Sequence, residues 1–304
     1  MPYLLLAATI FFWGTTYRAN AIATEHASSL MFSAFRAAPA ALILLVVVPF
    51  VRARLPRGRD LLWAAGSGLV MVTLVLEAIS EGVTRAGAGN AAVLVNTSPF
   101  FVLVLARIFL GERPSWIGIG GLVLGFAGVV VMVSSQLGGA ADAGQLALGM
   151  TAALVAAAAW GSGTLFVKWL VQRNPAFDLL GLTIGQFLAG GVALLAIAFA
   201  VDGTGGTDWT SGQMWGSFAW AAVGSSAIGT LTYFLALKRL PATRAASWLF
   251  LIPAVAILVE VARGASPGAE AFVGMVIATA GVAIVSTAPL VASRVAPTSA
   301  SASA

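Results

Sequence analysis

Residues 86–106 read Ala-Gly-Ala-Gly-Asn-Ala-Ala-Val-Leu-Val-Asn-Thr-Ser-Pro-Phe-Phe-Val-Leu-Val-Leu-Ala, with no charged side chain at any position. A helix needs about 20 mostly apolar residues to cross the ~30 Å of bilayer hydrocarbon at ~1.5 Å per residue. This stretch meets that requirement, and it is not alone. Residues 114–141, 143–167, 179–201, 209–237 and 271–293 also carry no charge. Residues 3–22, 28–50, 61–83 and 244–263 are apolar with only a few charges. The reading is a membrane protein of ten helical spans joined by short connections, with no room for a separate water-soluble domain. The runs are twice too long for barrel strands and lack period-two alternation.

Composition agrees. Of 304 residues, 60% are hydrophobic and 9% charged, against about 45–50% and about 25% in a soluble domain. So little charge cannot cover a soluble surface, and it excludes a disordered chain and a nucleic-acid binder. The absence of Cys and the single His exclude disulfides, thiol catalysis and His/Cys zinc sites. His26 falls in a connection and is read as solvated. No cofactor is expected. The start, Met1-Pro2-Tyr3, carries no basic side chain and no clear cleavage site precedes Arg18, so helix 1 reads as retained. The Ser/Ala-rich tail 291–304 reads as disordered.

Placing both ends in the cytoplasm puts twelve basic residues inside: Arg52, Arg54, Arg57, Arg59, Arg107, Arg113, Lys168, Arg173, Lys238, Arg239, Arg244 and Arg294. Four remain on the outer side: Arg18, Arg36, Arg85 and Arg263. Basic residues gather on the cytoplasmic side, so this orientation is the expectation, in a bacterial-type inner membrane.

The chain repeats itself. Trp13-Gly14-Thr15-Thr16 matches Trp160-Gly161-Ser162-Gly163, each mid-helix in the first span of its half. Ala91-Ala92 precedes Pro99 by the interval that separates Ala245-Ala246 from Pro253. Gly121…Ala127-Gly128-Val129 matches Gly274…Ala280-Gly281-Val282. The expected units are 1–140 and 141–290, each of five helices. Five is odd, so the second runs inverted relative to the first, the arrangement used for alternating access.

These motifs resemble the drug/metabolite transporter superfamily of the EamA type. The resemblance is carried by the Trp-Gly pairs, by Phe35-Arg36 and by the run 91–99 closing on Leu110-Gly111-Glu112-Arg113. The Gly-rich helices 5 and 10 complete it, and it covers residues 3–290. The second half departs from the pattern: Arg263-Gly264-Ala265-Ser266-Pro267 lacks the Glu, and Gln186 stands roughly where the first half has Arg36. The resemblance implies a ten-helix exporter or exchanger of small metabolites, often amino acids, around a central cavity.

Read as residues, the candidate cavity positions are Trp13, Tyr17, Glu77, Trp160, Tyr233 and Trp248. Trp13 and Tyr17 share a helix face at i,i+4, and a Trp pair near the midplane departs from the usual interfacial placing of Trp. Ordinary packing is the competing account for the Trp residues; for Glu77 the two accounts are a static ion pair with Arg36 holding helices 2 and 3, and a cavity carboxylate that meets the substrate's ammonium or a proton. Arg36 and Glu77 lie at similar depth and are expected to pair, because a lone charge in hydrocarbon is expensive. Glu81–Arg85 and Glu260–Arg263 read as pairs near the outer surface. Pro99 and Pro253 each remove a helix hydrogen bond and are the expected kinks or flexion points. No Walker loop, catalytic triad or channel filter is present. The expected function is secondary transport of a small metabolite, most plausibly an amino acid, by export or exchange. The alternatives are uptake of another metabolite, such as a sugar derivative, or a non-transporting membrane binding protein. The expected partners are the substrate and the lipid bilayer, without nucleic acid; the sequence leaves the oligomeric state open, a monomer among the options.

Overall fold

The computed structural model describes residues 1–51, 53–137 and 142–289. The expected disordered tail 291–304, Arg52, Arg294 and the expected boundary at residue 140 lie outside them. Among the described residues every regular element is helical. In chain order they are α1 (Pro2–Thr24), α2 (Ser29–Val51), α3 (Arg59–Ala86) and α4 (Gly89–Phe109), then α5 (Trp116–Met132). The second half holds α6 (Ala143–Arg173), α7 (Leu179–Val201), α8 (Gly212–Arg239), α9 (Ala242–Ala262) and α10 (Ala269–Thr287).

Eight of these are long and apolar enough to cross a membrane, the exceptions being α1 and α5. The exceptions have separate causes. α1 has 23 residues, but Thr9, Thr15, Thr16, Tyr17, Arg18, Asn20 and Thr24 lower its mean hydropathy. α5 has 17 residues, a rise of about 26 Å. It stops at Met132 and gives way to a short 3₁₀ turn at Ser134–Gln136, well short of the expected 114–141. Large apolar side chains stand exposed on the outside, among them Phe50 at 82%, Trp116 at 86% and Val276 at 70%. The interior is built largely of Ala, Gly and Leu. That inversion of the soluble pattern is the signature of a lipid-facing surface.

Helix ends are held by side chains where the sequence supplies them. Ser115 caps α5 by accepting from Gly118 N–H, Asp178 caps α7 from Leu180 and Gly181 N–H, and Ser211 caps α8 from Met214 N–H. Gly111 and Gly264 follow α4 and α9 with φ of 66° and 95°, a conformation that side chains with a Cβ rarely adopt. They occupy matching places in the two halves.

The helices pair in a closed pattern. α5 packs on α10, α2 on α7, and α4 on α9. α3 packs on α6 and α7, as α8 does on α1 and α2; α4 packs on α6, as α9 does on α1. Adding five to every helix number returns the same set. The α5–α10 contact is made by small residues. A Cβ added at Gly128 would strike the backbone of Ala278, one at Gly274 the backbone of Met132, and one at Gly281 the backbone of Gly125. Backbones this close gain dispersion where lipid offers no hydrophobic drive.

Gly128→Leu is therefore expected to force α5 and α10 apart and abolish monodisperse, folded protein in detergent, overpacking costing about 1–3 kcal/mol even where a core can give. Gly120, with nothing within 4 Å of an added Cβ, is the control. Gly120→Ala should leave the melting temperature unchanged or raise it.

Candidate functional site

Four interruptions of helical backbone decide where the cavity lies. α3 widens to a π-helix at Leu69–Leu74, and α8 does the same at Ala221–Gly229. α4 breaks at Asn96–Thr97 before Pro99, which sits in the first turn of the segment Ser98–Phe109. α9 tightens to a 3₁₀ turn at Trp248–Leu251 before Pro253, which likewise opens a new segment. Both prolines thus start a helical segment after a break, where their missing N–H costs least. All four interruptions border one cavity of about 430 Å³, through Met71 and Val72, Ser225, Asn96 and Ser98, and Leu249 and Ile252. Irregular backbone at membrane depth is tolerated where it lines a cavity. The volume is that of a small-molecule site.

One face of α1 supplies Trp13, Thr16, Tyr17, Asn20 and Thr24 to the wall, the spacing of successive helical turns. Trp13 and Trp160 meet edge to face with ring centroids 5.1 Å apart. Tyr233 backs both, at 5.5 Å and 5.6 Å, is fully buried and lies behind the wall. Trp13 Nε1 donates to the Ser225 carbonyl at 3.0 Å, using a π-helical carbonyl. Arg36 enters the same wall from α2. Its Nη2 donates to Ser225 Oγ at 3.0 Å and its Nε to Ser226 Oγ at 3.4 Å, with Phe32 beside the guanidinium at 5.7 Å. Gln186 on α7 does the corresponding thing in the other half: its Nε2 donates to Ser67 Oγ on α3 at 2.9 Å, and it too lines the cavity.

The structure brings together Trp13, Tyr17, Trp160 and Arg36, and it does not bring in the rest of the expected set. Glu77 is absent from the wall. Among the described residues no ion pair joins it to Arg36, and its Oε2 is buried with no hydrogen-bond partner. The two residues share a depth, as Ser33 bonding to Ser80 one turn away at 3.0 Å shows. Their azimuths differ: Arg36 turns to α8. Trp248 stacks on Tyr3 at 5.5 Å and donates to Ser286 Oγ at 3.1 Å, outside the cavity. Glu260 faces Arg18 across α1 and α9 at 3.9 Å, rather than Arg263. Glu81 pairs with Arg85 as expected, and Arg85 also reaches Gln145 at 2.5 Å. His26 is not free in solvent but sits 3.5 Å from Asp208. Sequence reasoning missed Asn20, Asn96 and Ser225; a polar residue on the Trp13/Tyr17 face of α1 was the signal for Asn20.

The cavity reaches Thr24 on α1 and Val83 on α3 at one end. The opposite end is filled. Leu6, Leu165, Leu170, Leu237, Leu240 and Ala245 form a buried cluster with Tyr3 and Leu110 packed on it. The α8–α9 turn is clamped there from two sides. Lys168 donates its ammonium to the carbonyls of Leu237 at 2.9 Å and Leu240 at 2.6 Å, satisfying orphan acceptors at the end of α8. Glu112 accepts from Ala242 N–H at 2.7 Å and Thr243 N–H at 3.3 Å, capping α9 as an N-terminal carboxylate does.

The chain matches the sequence profile of the EamA-like transporter family twice, over residues 1–134 and 147–287. It is 28% identical over 261 residues to the uncharacterized transporter YvbV of Bacillus subtilis, covering 84% of this chain and 81% of that one. It is 28% identical over 284 residues to a probable terminal-alkyne amino-acid exporter of Streptantibioticus cattleyicolor, covering 92% and 91%. The uncharacterized inner membrane transporter YedA of Escherichia coli K12 is 27% identical over 267 residues, covering 85% and 81%. A solved crystal structure superposes with a TM-score of 0.81 at 18% identity over 93% of this chain and 95% of its own, a likeness of fold. With the family profile covering nearly all of its length in two copies, the chain belongs to the EamA-like transporter family and is a multi-pass membrane transporter, not an enzyme.

Proposed function

We propose that the protein carries a small metabolite, most plausibly an amino acid, across a bacterial-type inner membrane by alternating access, in the direction of export or by exchange. The observation that carries this reading is a cavity bordered by all four backbone interruptions, reaching one end of the bundle and plugged at the other. Ten crossings in two inverted five-helix units, 1–140 and 141–290, fit the main helix pairings named above, which map onto one another when five is added to each number. The paired π-helical stretches of α3 and α8 and the paired breaks of α4 and α9 support the same reading. Basic residues favour the plugged end as cytoplasmic, so the conformation described faces outward. Exchange of conformation between inverted halves would open the plugged end and close the other. The amino-acid exporter of Streptantibioticus cattleyicolor, similar over nine-tenths of both chains, supports the substrate class. The Trp13–Trp160 pair supplies the apolar area an amphipathic solute requires.

Counterflow in proteoliposomes tests the function: vesicles preloaded with unlabelled amino acids should accumulate labelled amino acid from outside. Trp13→Ala and Trp160→Ala should each lower the initial rate about tenfold, the loss of ~1.4 kcal/mol of aromatic contact, while the protein remains folded. Wild-type-like counterflow in both variants would remove the Trp pair from the site.

Glu77→Gln separates a wall residue from a bystander. Its buried, unpartnered oxygen makes the charge a burden, so the neutral variant should melt at a higher temperature. Counterflow should stay within about a factor of two. Abolished counterflow with intact folding would return Glu77 to the mechanism.

A further inference from the structure

We propose that Arg36 is the anchor for a single carboxylate on the substrate, so that the cavity selects small monocarboxylates, zwitterionic amino acids included, and rejects cations and neutral amides. This rests on the transport reading and names the chemistry of that site. Arg36 is the charged residue of the cavity wall; no carboxylate lines it. Among the described residues no acid lies within 4 Å of the guanidinium. Its protein partners are two hydroxyls, Ser225 and Ser226, which engage Nη2 and Nε and carry no charge. A guanidinium presents five N–H donors in a planar fork matched to a carboxylate. A cation held at membrane depth without a counter-ion is costly, and a bound carboxylate supplies one. One guanidinium balances one negative charge, so a phosphate ester would enter with charge left over.

The rest of the wall completes an amphipathic solute. Ser225 joins the two recognition groups: its hydroxyl accepts from Arg36 and its carbonyl from Trp13. A carboxylate on Arg36 therefore places the remainder of a small molecule beside the Trp13–Trp160 pair. Asn20 lines the same cavity, and its Oδ1 is buried without a partner. That acceptor, with the indole faces, meets an ammonium by hydrogen bonding and cation–π attraction rather than by a salt bridge. Carboxylate recognition thus dominates, and the amine is secondary.

The test is thermal stabilisation of the purified wild-type protein by millimolar ligands, since a ligand that binds the folded state raises its melting temperature. The probes are L-leucine and L-phenylalanine, their C-terminal amides, and 4-methylpentanoate and 3-phenylpropanoate, which keep the carboxylate and lack the amine. The amino acids and the amine-free acids should stabilise; the amides should not. Arg36→Gln should weaken binding by about thirtyfold or more, and Ser225→Ala, which keeps the charge but frees Nη2, by less. Amides stabilising as well as acids, or no acid stabilising at all, would overturn the inference in wild-type protein alone, whatever the fate of the variants. Acid binding that depends on Arg36 without counterflow would sink the transport reading and leave the anchor standing. Counterflow of acids undiminished in folded Arg36→Gln would do the reverse.

Discussion

A bilayer interior offers no water to a backbone N–H or C=O, and this constraint orders the whole molecule. Helices satisfy their own backbone, and every regular element among the described residues is helical. The departures are concentrated at the π-helical stretches of α3 and α8 and the breaks of α4 and α9. All of them border the cavity of about 430 Å³, where polar side chains, and in the membrane water, can answer for the freed groups. Trp13 Nε1 donating to the Ser225 carbonyl of the π-helical stretch at 3.0 Å is a direct instance. Placing the irregular backbone thus places the site.

The two halves share an architecture and differ in charge. Arg36 on α2 donates to serines of α8; Gln186 on α7 donates to a serine of α3. The geometry is repeated while the cation appears once. Glu112 follows Gly111 in the first half, whereas Ala265 follows Gly264 in the second, so the Glu112 clamp on the start of α9 has no carboxylate at the matching position. The scaffold is duplicated and the cavity's charge is not.

Much of this was legible in the sequence because hydropathy and interval survive folding. Charge-free runs placed the helices, with 179–201 matching α7 at both ends. The spacing of Trp-Gly, Ala-Ala…Pro and Gly…Gly motifs exposed the duplication that the twofold family match bears out. Depth was legible too, since residue count along a helix measures it. Azimuth was not. Arg36 and Glu77 sit at one level yet point apart, and Trp248 turns to Tyr3 and Ser286 while its neighbour Leu249 lines the cavity. The π-helical stretches carry no residue pattern of their own, so Ser225 gained its importance only from the backbone around it, as Asn96 did from the break of α4.

Alternating access requires the open and plugged ends of the bundle to exchange. The chain contains no cysteine, so spin labels can be placed on introduced cysteines without background. One pair at Thr24 and Thr84 spans the open end, and another at Arg113 and Arg239 spans the plugged end; all four residues are exposed. Pulsed electron double resonance in nanodiscs, with and without a transported amino acid, reads both distances. The account predicts reciprocal change, a population with the Thr24–Thr84 distance shortened and the Arg113–Arg239 distance lengthened. Two distances that stay single and fixed while the same labelled protein carries out counterflow would contradict it.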